Sequence, residues 1–352
     1  MKQTTYKILG VIPARSGSKS LPNKNIKMCN GKPLLAYSIE HAKQSKYINR
    51  IIISTDSPEY ARIAGEYGAE IPFIRPQEIS RDDSTDFEVF WHGLNFLKEK
   101  ESYSPDILVH LRPTFPIRNP NDIDAMIKIA IENADIDSVR SVIPSPLTPY
   151  KMWHKREDNV ITPVAVCDLE EAYNAPRQIL PAVYFQNACI DVIRTATILE
   201  KKSVTGDKIS GYVQDFCFDI DSEYDFARAE FFLELYDKIN AVEKLTFCFD
   251  IDGVIAEKTL NNDYSSAKPV NDVIKIIDEI FDNGHEIILH SARGSKTGID
   301  WKDVTYAQLQ KWGVKYNELH LGKPFADIYI DDRFMNMEDL SKISNLLRSN
   351  KK

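Results

Sequence analysis

The chain alternates short apolar runs with segments of helical periodicity, and this alternation begins twice. The first series has apolar, β-branched runs at residues 6–12, 51–54, 107–111 and 138–143. The second series has them at residues 245–249, 286–290 and 326–330. Strands that alternate with helices of about 10 to 15 residues predict βαβ units on a largely parallel sheet. We therefore expect an α/β protein with two domains, residues 1–240 and 243–352.

Charge and composition exclude several classes of function. The 352 residues include 44 Lys and Arg against 52 Asp and Glu, a formal net charge of −8. A net-negative chain is a poor non-specific binder of nucleic acid. No apolar run approaches the roughly 18 residues of a membrane span. The five cysteines form no CxxC pair, which favours a cytoplasmic protein with reduced thiols.

Positive charge is concentrated at the N-terminus, where residues 1–50 hold ten Lys or Arg and one acidic residue. The loop after the first strand reads IPARSGSKSLPNKNIKMCNGK, and open α/β sheets bind ligands at such loops. Gly17 lets backbone N–H groups approach phosphate oxygens, while Arg15, Lys19 and Lys24 can neutralise a triphosphate. Neither GxxxxGK[ST] nor GxGxxG is present. The loop predicts a phosphate site, with a solvated basic face as the alternative.

This loop is the first of several sequence blocks that together resemble one known family. The blocks are IPARSGSK, GKPLLAYSI, IIISTDS, YGAEIPFIRP, LRPTFPIR, YNAPRQILP and FDIDSEYDF. In this order they resemble the acylneuraminate cytidylyltransferases, the CMP-sialic acid synthetases, over residues 6–235. The resemblance implies a Rossmann-like nucleotidyltransferase domain with a mixed, mostly parallel sheet. It also implies transfer of CMP from CTP to a sugar hydroxyl, with release of pyrophosphate.

The same resemblance assigns the nucleotide-binding residues. It implies that CTP is bound by Arg15, Ser18, Lys19, Lys24, Asn25 and Arg75, with Arg15 and Lys24 also catalytic. Asp219 and Asp221 match a pair of Mg²⁺ ligands. Alternation along a strand would point both carboxylates to one face, as a shared Mg²⁺ requires. The alternative is that the pair caps the following helix.

The residues expected on the acceptor side of the site match the family pattern less closely. Lys151 and Arg177 are candidate cations for a sugar carboxylate or phosphate. The family's usual LQPTSPLR is LRPTFPIR here, which introduces Arg112, and its NGAIYI is NACIDVI, which introduces Asp191. These departures keep open a second interpretation, cytidylyl transfer to a phosphate, phosphonate or polyol-phosphate acceptor. Arg112 could instead pair with a carboxylate such as Asp191.

A second set of motifs lies in the C-terminal domain. FDIDGV, HSARG, LGKP and IYIDDR follow one another at predicted strand ends, and in this order they resemble the motifs of haloacid dehalogenase (HAD)-type phosphatases. The resemblance implies a nucleophile at Asp250 and a general acid/base at Asp252. Ser291 and Lys323 would bind the phosphoryl group. It further implies a second Mg²⁺ site formed by Asp250, Asp252, Asp331 and Asp332.

Together the motifs predict a bifunctional enzyme that uses Mg²⁺ in both domains. The N-terminal domain would activate an acidic, nonulosonate-like sugar for surface polysaccharide biosynthesis. The HAD-like domain, with little or no cap, would act on a sugar phosphate of the same pathway. The alternative is a non-catalytic tail used for oligomerisation. We expect a homo-oligomer, dimer or tetramer, whose partners are CTP and a small acidic or phosphorylated sugar-like acceptor.

Overall fold

The computed structural model describes residues 6–19, 21–214, 218–240, 244–259 and 263–323. The chain forms two compact units, one up to Phe231 and one from Phe232 onward. In the described part, no helix is both long and apolar enough to cross a membrane. The assignment of residues 1–240 and 243–352 as separate functional domains stays a prediction.

A six-stranded sheet forms the centre of the first unit. Its strands are β1 (Ile8–Pro13), β4 (Arg50–Ser54), β5 (Ile107–Leu111), β6 (Ser138–Pro144), β9 (Tyr184–Arg194) and β10 (Ile209–Val213). The order across the sheet is β10-β6-β9-β5-β1-β4. Only β9 runs antiparallel to its neighbours, β5 and β6, and the other pairs are parallel. This agrees with the predicted mixed, mostly parallel sheet.

Helices cover both faces of this sheet, which explains why β1 is apolar throughout. They are α1 (Leu34–Gln44), α2 (Pro58–Glu66), α3 (Asp86–Glu101), α4 (Pro120–Glu132) and α5 (Thr195–Leu199). A further helix, α6 (Glu223–Asn240), spans the boundary between the two units. Ile8 and Ile12 of β1 belong to one core cluster. Leu9 and Val11 belong to a cluster on the other face, together with Phe90 of α3. The alternation of side chains along β1 thus supplies both cores.

Two small antiparallel pairs lie outside the main sheet. One joins β2 (Met28–Cys29) to β3 (Lys32–Pro33) and closes the loop after β1. The other joins β7 (Trp153–Lys155) to β8 (Ile161–Pro163). This second pair belongs to residues 145–183, which we call the arm because many of its apolar side chains are exposed.

The second unit contains a parallel sheet in the order β11-β12-β13. The strands are β11 (Thr246–Phe249), β12 (Glu286–Ser291) and β13 (Glu318–Leu321), and the helices are α7 (Asn271–Asp282) and α8 (Lys302–Trp312). Its apolar core includes Ile251, Ile277 and Leu289. The predicted strand at 326–330 and the predicted last helix at 337–347 lie outside the described residues.

One buried carboxylate fixes the approach to the edge strand β10. Asp137 Oδ2 accepts hydrogen bonds from the backbone N–H groups of Asp207 at 2.8 Å and Lys208 at 3.0 Å, and from Lys201 Nζ at 2.9 Å. Gly206 completes the turn with φ of +69°, and a Cβ there would lie 2.4 Å from that of Asp137. The backbone bond from Lys208 and the charge of Lys201 hold the pKa of Asp137 well below its ordinary value.

We predict that Asp137→Asn lowers the free energy of unfolding by about 1.5–3 kcal/mol at pH 7, the usual range for hydrogen bonds to a charged group. A depressed folded-state pKa stabilises the fold above the unfolded value of about 3.9. That contribution is lost as pH falls towards the folded-state pKa. Urea unfolding should therefore show a difference between wild type and variant that shrinks below about pH 4. Asp135→Asn, at an exposed position nearby, should match wild type, and a pH-independent difference would contradict the assignment.

Candidate functional site

A cleft of about 440 Å³ opens where β1 and β5 end. All six residues predicted to bind CTP line it: Arg15, Ser18, Lys19, Lys24, Asn25 and Arg75. Arg112, predicted on the acceptor side, lines it as well. The cleft lies at the carboxyl edge of parallel strands, where α/β sheets bind ligands.

The loop after β1 is braced at two points. The Ser16 N–H and Oγ donate to the Asp56 carboxylate at 2.7 and 2.6 Å, which joins this loop to the one after β4. Asn25 is buried, and its Nδ2 donates to the Arg15 carbonyl at 3.0 Å. Gly17 has φ of +74°, a conformation that favours glycine. Asn25 therefore supports the shape of the loop as well as lining the cleft.

Two cations of this loop share one carboxylate. Arg15 lies 2.7 Å from Asp82, and Lys19 forms an ion pair with the same residue. Hydrogen bonds from Lys19 and Arg15 hold the pKa of Asp82 below its ordinary value. A triphosphate that binds Arg15 and Lys19 would therefore compete with Asp82 for these cations.

Lys24 connects the loop to the candidate metal ligands. Its Nζ donates to the Ile220 carbonyl at 2.8 Å and lies 3.6 Å from Asp221 Oδ1. The Ile220 N–H donates to the Thr114 carbonyl at 3.0 Å, so both sides of this peptide segment are held. Because the Ile220 side chain is fully buried and both neighbouring aspartates are exposed, Asp219 and Asp221 face outward together.

The predicted strand over Asp219 and Asp221 is wrong, since residues 218–221 form no strand. The backbone of Ile220, between them, makes one hydrogen bond to Thr114 and one to Lys24 instead of pairing with a neighbouring strand. The alternative cap role also fails, because Ser222 Oγ accepts from the Asp225 N–H and Asp225 Oδ2 accepts from the Ser222 N–H. Neither Asp219 nor Asp221 is needed to begin α6.

The two carboxylates suit a divalent cation. Desolvation and, among the nearby charges, that of Asp221 raise the pKa of Asp219, and a bound cation would relieve this repulsion. In the described ranges, no group of three or more His, Cys, Asp or Glu side chains could hold a metal. A Mg²⁺ at Asp219 and Asp221 would therefore complete its oxygen ligands with phosphate and water.

Arg75 presents an unsatisfied donor. It is buried, its Nε donates to Ser80 Oγ at 3.0 Å, and its backbone N–H donates to the Thr55 carbonyl at 2.8 Å. Among the residues that the structure describes, one terminal guanidinium nitrogen, Nη2, has no hydrogen-bond partner. Burial lowers the pKa of Arg75. A buried donor without a partner is costly, so this nitrogen is suited to a ligand acceptor atom.

The predicted acceptor residues do not all reach the cleft. Arg112 contacts Asp86 at 2.7 Å and Asp191 at 3.3 Å, so the alternative role, pairing with a carboxylate, is what the structure shows for this side chain. Asp191 is buried and does not line the cleft. Lys151 and Arg177 lie on the arm, where Arg177 donates to the Ser145 carbonyl at 2.8 Å. Neither lines the cleft.

Five polar residues of the cleft wall escaped the sequence reasoning. They are Arg81, Ser84, Asp86, His110 and Thr114. Only Asp86 has a local signal, because Thr85 and Glu88 form a capping box that begins α3 at this residue. His110 is buried inside an apolar strand, and no sequence pattern distinguishes it from a core residue.

Comparison with known proteins agrees with this geometry. The cytidylyltransferase family profile matches residues 9–248. The chain belongs to the cytidylyltransferase family. It is 33% identical over 235 residues to the CMP-N,N'-diacetyllegionaminic acid synthase of Legionella pneumophila, covering 65% of this chain and 97% of that enzyme. It is 32% identical over 278 residues to the N-acylneuraminate cytidylyltransferase of Escherichia coli, covering 78% of this chain and 62% of that enzyme.

A solved structure supports the fold of this cytidylyltransferase. The CMP:2-keto-3-deoxy-manno-octonic acid synthetase complexed with CTP superposes with a TM-score of 0.51 at 13% identity. The match covers 65% of this chain and 99% of that one. At this identity the likeness concerns the fold alone.

The second unit of the cytidylyltransferase has its own cluster of polar residues, at the carboxyl ends of β11, β12 and β13. Lys323 Nζ donates to Asp250 Oδ2 at 3.2 Å, and Ser291 Oγ lies 3.5 Å from Asp252 Oδ2. The four described residues predicted for phosphatase chemistry are therefore brought together. Asp331 and Asp332 lie outside the described residues.

Sequence reasoning missed Arg293 in this second cluster. Its side chain is fully buried and its Nη2 contacts Asp252 Oδ1 at 2.8 Å, while Nε lies 3.0 Å from Oδ2. Nη1 is held by Thr305 Oγ1 at 3.1 Å and Gln308 Oε1 at 2.8 Å. Arg293 thus fixes the orientation of Asp252 with two parallel bonds. Its position directly after HSA was the available signal.

Proposed function

We propose that this chain transfers CMP from CTP to a hydroxyl group of a nonulosonic acid and releases pyrophosphate. The observation that carries the proposal is the convergence of six predicted CTP residues on one cleft. Lys24 joins this cleft to the Asp219 and Asp221 pair. The relatives named above, which act on sialic and legionaminic acids by their names, support the acceptor class.

The residues of the cleft divide the chemistry between them. Arg15, Lys19 and Lys24 neutralise the triphosphate, and Arg75 offers its unsatisfied nitrogen to the cytosine. The acceptor oxygen bonds to the α-phosphorus while the bond to pyrophosphate breaks, and the hydroxyl proton passes to solvent. Mg²⁺ held by Asp219 and Asp221 would offset the charge on the phosphoryl oxygens. Asn25 keeps the loop in the shape that presents these cations.

The phosphate-acceptor alternative is less well supported. Its main ground was an additional cation at Arg112, but that guanidinium already contacts the carboxylates of Asp86 and Asp191. A phosphate dianion that replaced one of these carboxylates on Arg112 would add a further negative charge beside the other carboxylate. The single carboxylate of an acidic sugar would leave the local charge unchanged.

Pyrophosphate release tests the transferase assignment. We expect Mg²⁺-dependent release from CTP with at least one acid in a panel of N-acetylneuraminic, legionaminic and pseudaminic acids and phosphorylated polyols. Lys24→Ala and Asp221→Ala should each lower kcat by about 10²- to 10³-fold, because each removes a group aimed at the transition state. Lys32→Ala, a loop cation paired with Glu40, should keep the wild-type rate. Wild-type turnover in both site variants would overturn the assignment.

We further propose that the second unit is a HAD-type phosphatase acting on a sugar phosphate of the same pathway. Asp250 attacks phosphorus, and the leaving oxygen takes a proton that Asp252 relays from water. Asp252 then accepts a proton from the water that hydrolyses the aspartyl-phosphate. Lys323 offsets the repulsion between Asp250 and the phosphate, since its Nζ already lies 3.2 Å from that carboxylate. A second Mg²⁺, with Asp331 and Asp332 among its ligands, would assist this. Between Asp252 and Ser291 the described residues contain one α-helix, α7, which supports a site with little or no cap.

The phosphatase proposal is tested on the full chain. Asp250→Asn should abolish Mg²⁺-dependent hydrolysis of p-nitrophenyl phosphate and leave cytidylyl transfer to the free acid unchanged. Given CTP and a phosphorylated acidic sugar, wild type should make the CMP-sugar and Asp250→Asn should not. Asp272→Asn, an exposed position on α7, serves as the matched control. A wild-type chain without phosphatase activity would favour the oligomerisation alternative, and product from the phosphorylated sugar with Asp250→Asn would favour the phosphate acceptor.

We also propose that the chain is a homo-oligomer assembled through the arm. Exposed apolar side chains on the arm include Leu147, Val166 and Ile179, and Val166 is 83% exposed. Apolar patches of this kind mark interaction surfaces. The same arm carries Lys151 and Arg177, which line no part of their own cleft, so a second copy is the partner that gives them a role at the acceptor site.

Light scattering should give a mass that is a multiple of the 40.3 kDa chain. The double variant Val166→Glu and Ile179→Glu places charge on the arm and should reduce the mass to one chain. Ile299→Glu, at an exposed apolar position in the second unit, should leave the mass unchanged. A monomeric wild type would refute the proposal.

A further inference from the structure

Three polar side chains meet across the first sheet. His110 of β5 lies directly opposite Asp191 of β9, and Arg140 of β6 lies opposite the same aspartate. Side chains at directly opposed positions project from the same face. Arg112, immediately after β5, adds its guanidinium from the cleft side.

Asp191 is the fixed centre of this group. It is 2% exposed, and its carboxylate lies 3.2 Å from Arg140 Nε, 3.3 Å from Arg112 Nη1 and 3.6 Å from His110 Nδ1. Desolvation raises the pKa of Asp191, but the contact with His110 and the two guanidinium charges outweigh it and hold that pKa below its ordinary value. Burial and the charge of Arg112 lower the pKa of His110. Asp191 is therefore an ionised carboxylate that contacts Arg112 on the side away from the cleft.

On its cleft side, Arg112 holds a second carboxylate of different character. Arg112 Nη2 donates to Asp86 Oδ2 at 2.7 Å. The Asp86 side chain is 39% exposed and lines the cleft. The remaining bond, from Arg112 Nη1 to the Ala188 carbonyl at 2.6 Å, fixes the plane of the guanidinium. The outer partner of Arg112 is thus accessible, whereas the inner one is not.

We propose that Asp86 is a displaceable counter-ion on Arg112, occupying the position that the carboxylate of the acceptor takes when it binds. The inference rests on the proposed function, because it requires an acidic acceptor. It makes Arg112 the group that selects for that acid and Asp86 its internal competitor.

Charge balance explains why the pair of Arg112 and Asp86 would favour an acidic acceptor over a neutral one. With His110 neutral, the two arginines and two aspartates of the network sum to zero, and exchanging one carboxylate for another keeps that sum. If Asp86 is displaced, water at the cleft wall can hydrate its carboxylate at little cost in free energy. If Asp191 were displaced instead, its carboxylate would remain buried without a partner. A neutral sugar offers no group that can replace Asp86 on a guanidinium.

The position of Arg112 also suits transfer. Arg112 lines the same cleft as Lys24, whose Nζ lies 3.6 Å from Asp221 Oδ1 in the candidate metal pair. Thr114, whose carbonyl holds Ile220, follows Arg112 by two residues. An acid bound to Arg112 would therefore lie beside the centre at which the α-phosphate reacts.

The test compares N-acetylneuraminic acid with its methyl ester as acceptors in the pyrophosphate assay, using the full chain. Wild type should prefer the acid by about tenfold or more in kcat/KM, as expected for a charge-assisted pair. Arg112→Met, which removes both the charge and the donors, should bring the ratio close to one. Asp86→Asn removes the competing charge and should lower the KM for the acid by about three- to tenfold, with the KM for CTP unchanged.

Two further variants serve as controls. Asp82→Asn alters a carboxylate of the same loop that pairs with Arg15 and Lys19, so it should change the KM for CTP and leave the acid-to-ester ratio unchanged. Arg112→Lys keeps the charge without the planar fork and should retain part of the preference even if Arg112→Met is poorly folded.

The outcomes separate the inference from the proposed function. If wild type uses no acidic sugar at all, the proposed function fails. If wild type uses the acid but Asp86→Asn raises its KM or leaves it unchanged, Asp86 is a support for Arg112 and only the inference fails. Equal use of acid and ester by wild type would also overturn the inference.

Discussion

The candidate nucleotide site depends on a hydrogen bond between residues far apart in the chain, from Lys24 Nζ to the Ile220 carbonyl. This bond joins the basic loop after β1 to the segment that carries Asp219 and Asp221. The bond uses a cation both as a structural donor and as a neighbour of Asp221. A site for a triphosphate and a metal needs cations and carboxylates side by side, and this bond keeps them at a fixed separation.

Local sequence patterns predicted the parts of the fold that local forces determine. β1 and β5 are short apolar runs, and Ser57 with Pro58 begins α2 as their types suggest. The loop after β1 was predictable because its cations and its glycine are contiguous. The failures concern long-range geometry: Asp219 and Asp221 lie in no strand, because Ile220 finds its backbone partners on Thr114 and Lys24 instead of on a neighbouring strand.

The same distinction explains the acceptor side. Arg112 and Asp191 stood out as departures from a family pattern, yet their roles depend on Asp86, His110 and Arg140, which the strand register and the start of α3 bring to them. In the second unit, three of the four motifs lie in the described residues, and their side chains do meet around Asp250 and Asp252. Arg293 was missed because its role appears only once Asp252 is placed against it.

Asp82 has a consequence for how a ligand is recognised. Because Asp82 shares one negative charge between Arg15 and Lys19, it reduces the positive charge at the entrance to the cleft without cancelling it. Arrival of a nucleotide is then partly an ion exchange at close range, with a weaker long-range attraction to steer it. Discrimination would rest on whether the phosphates match two cations at once, so abundant monovalent anions would gain little from entering.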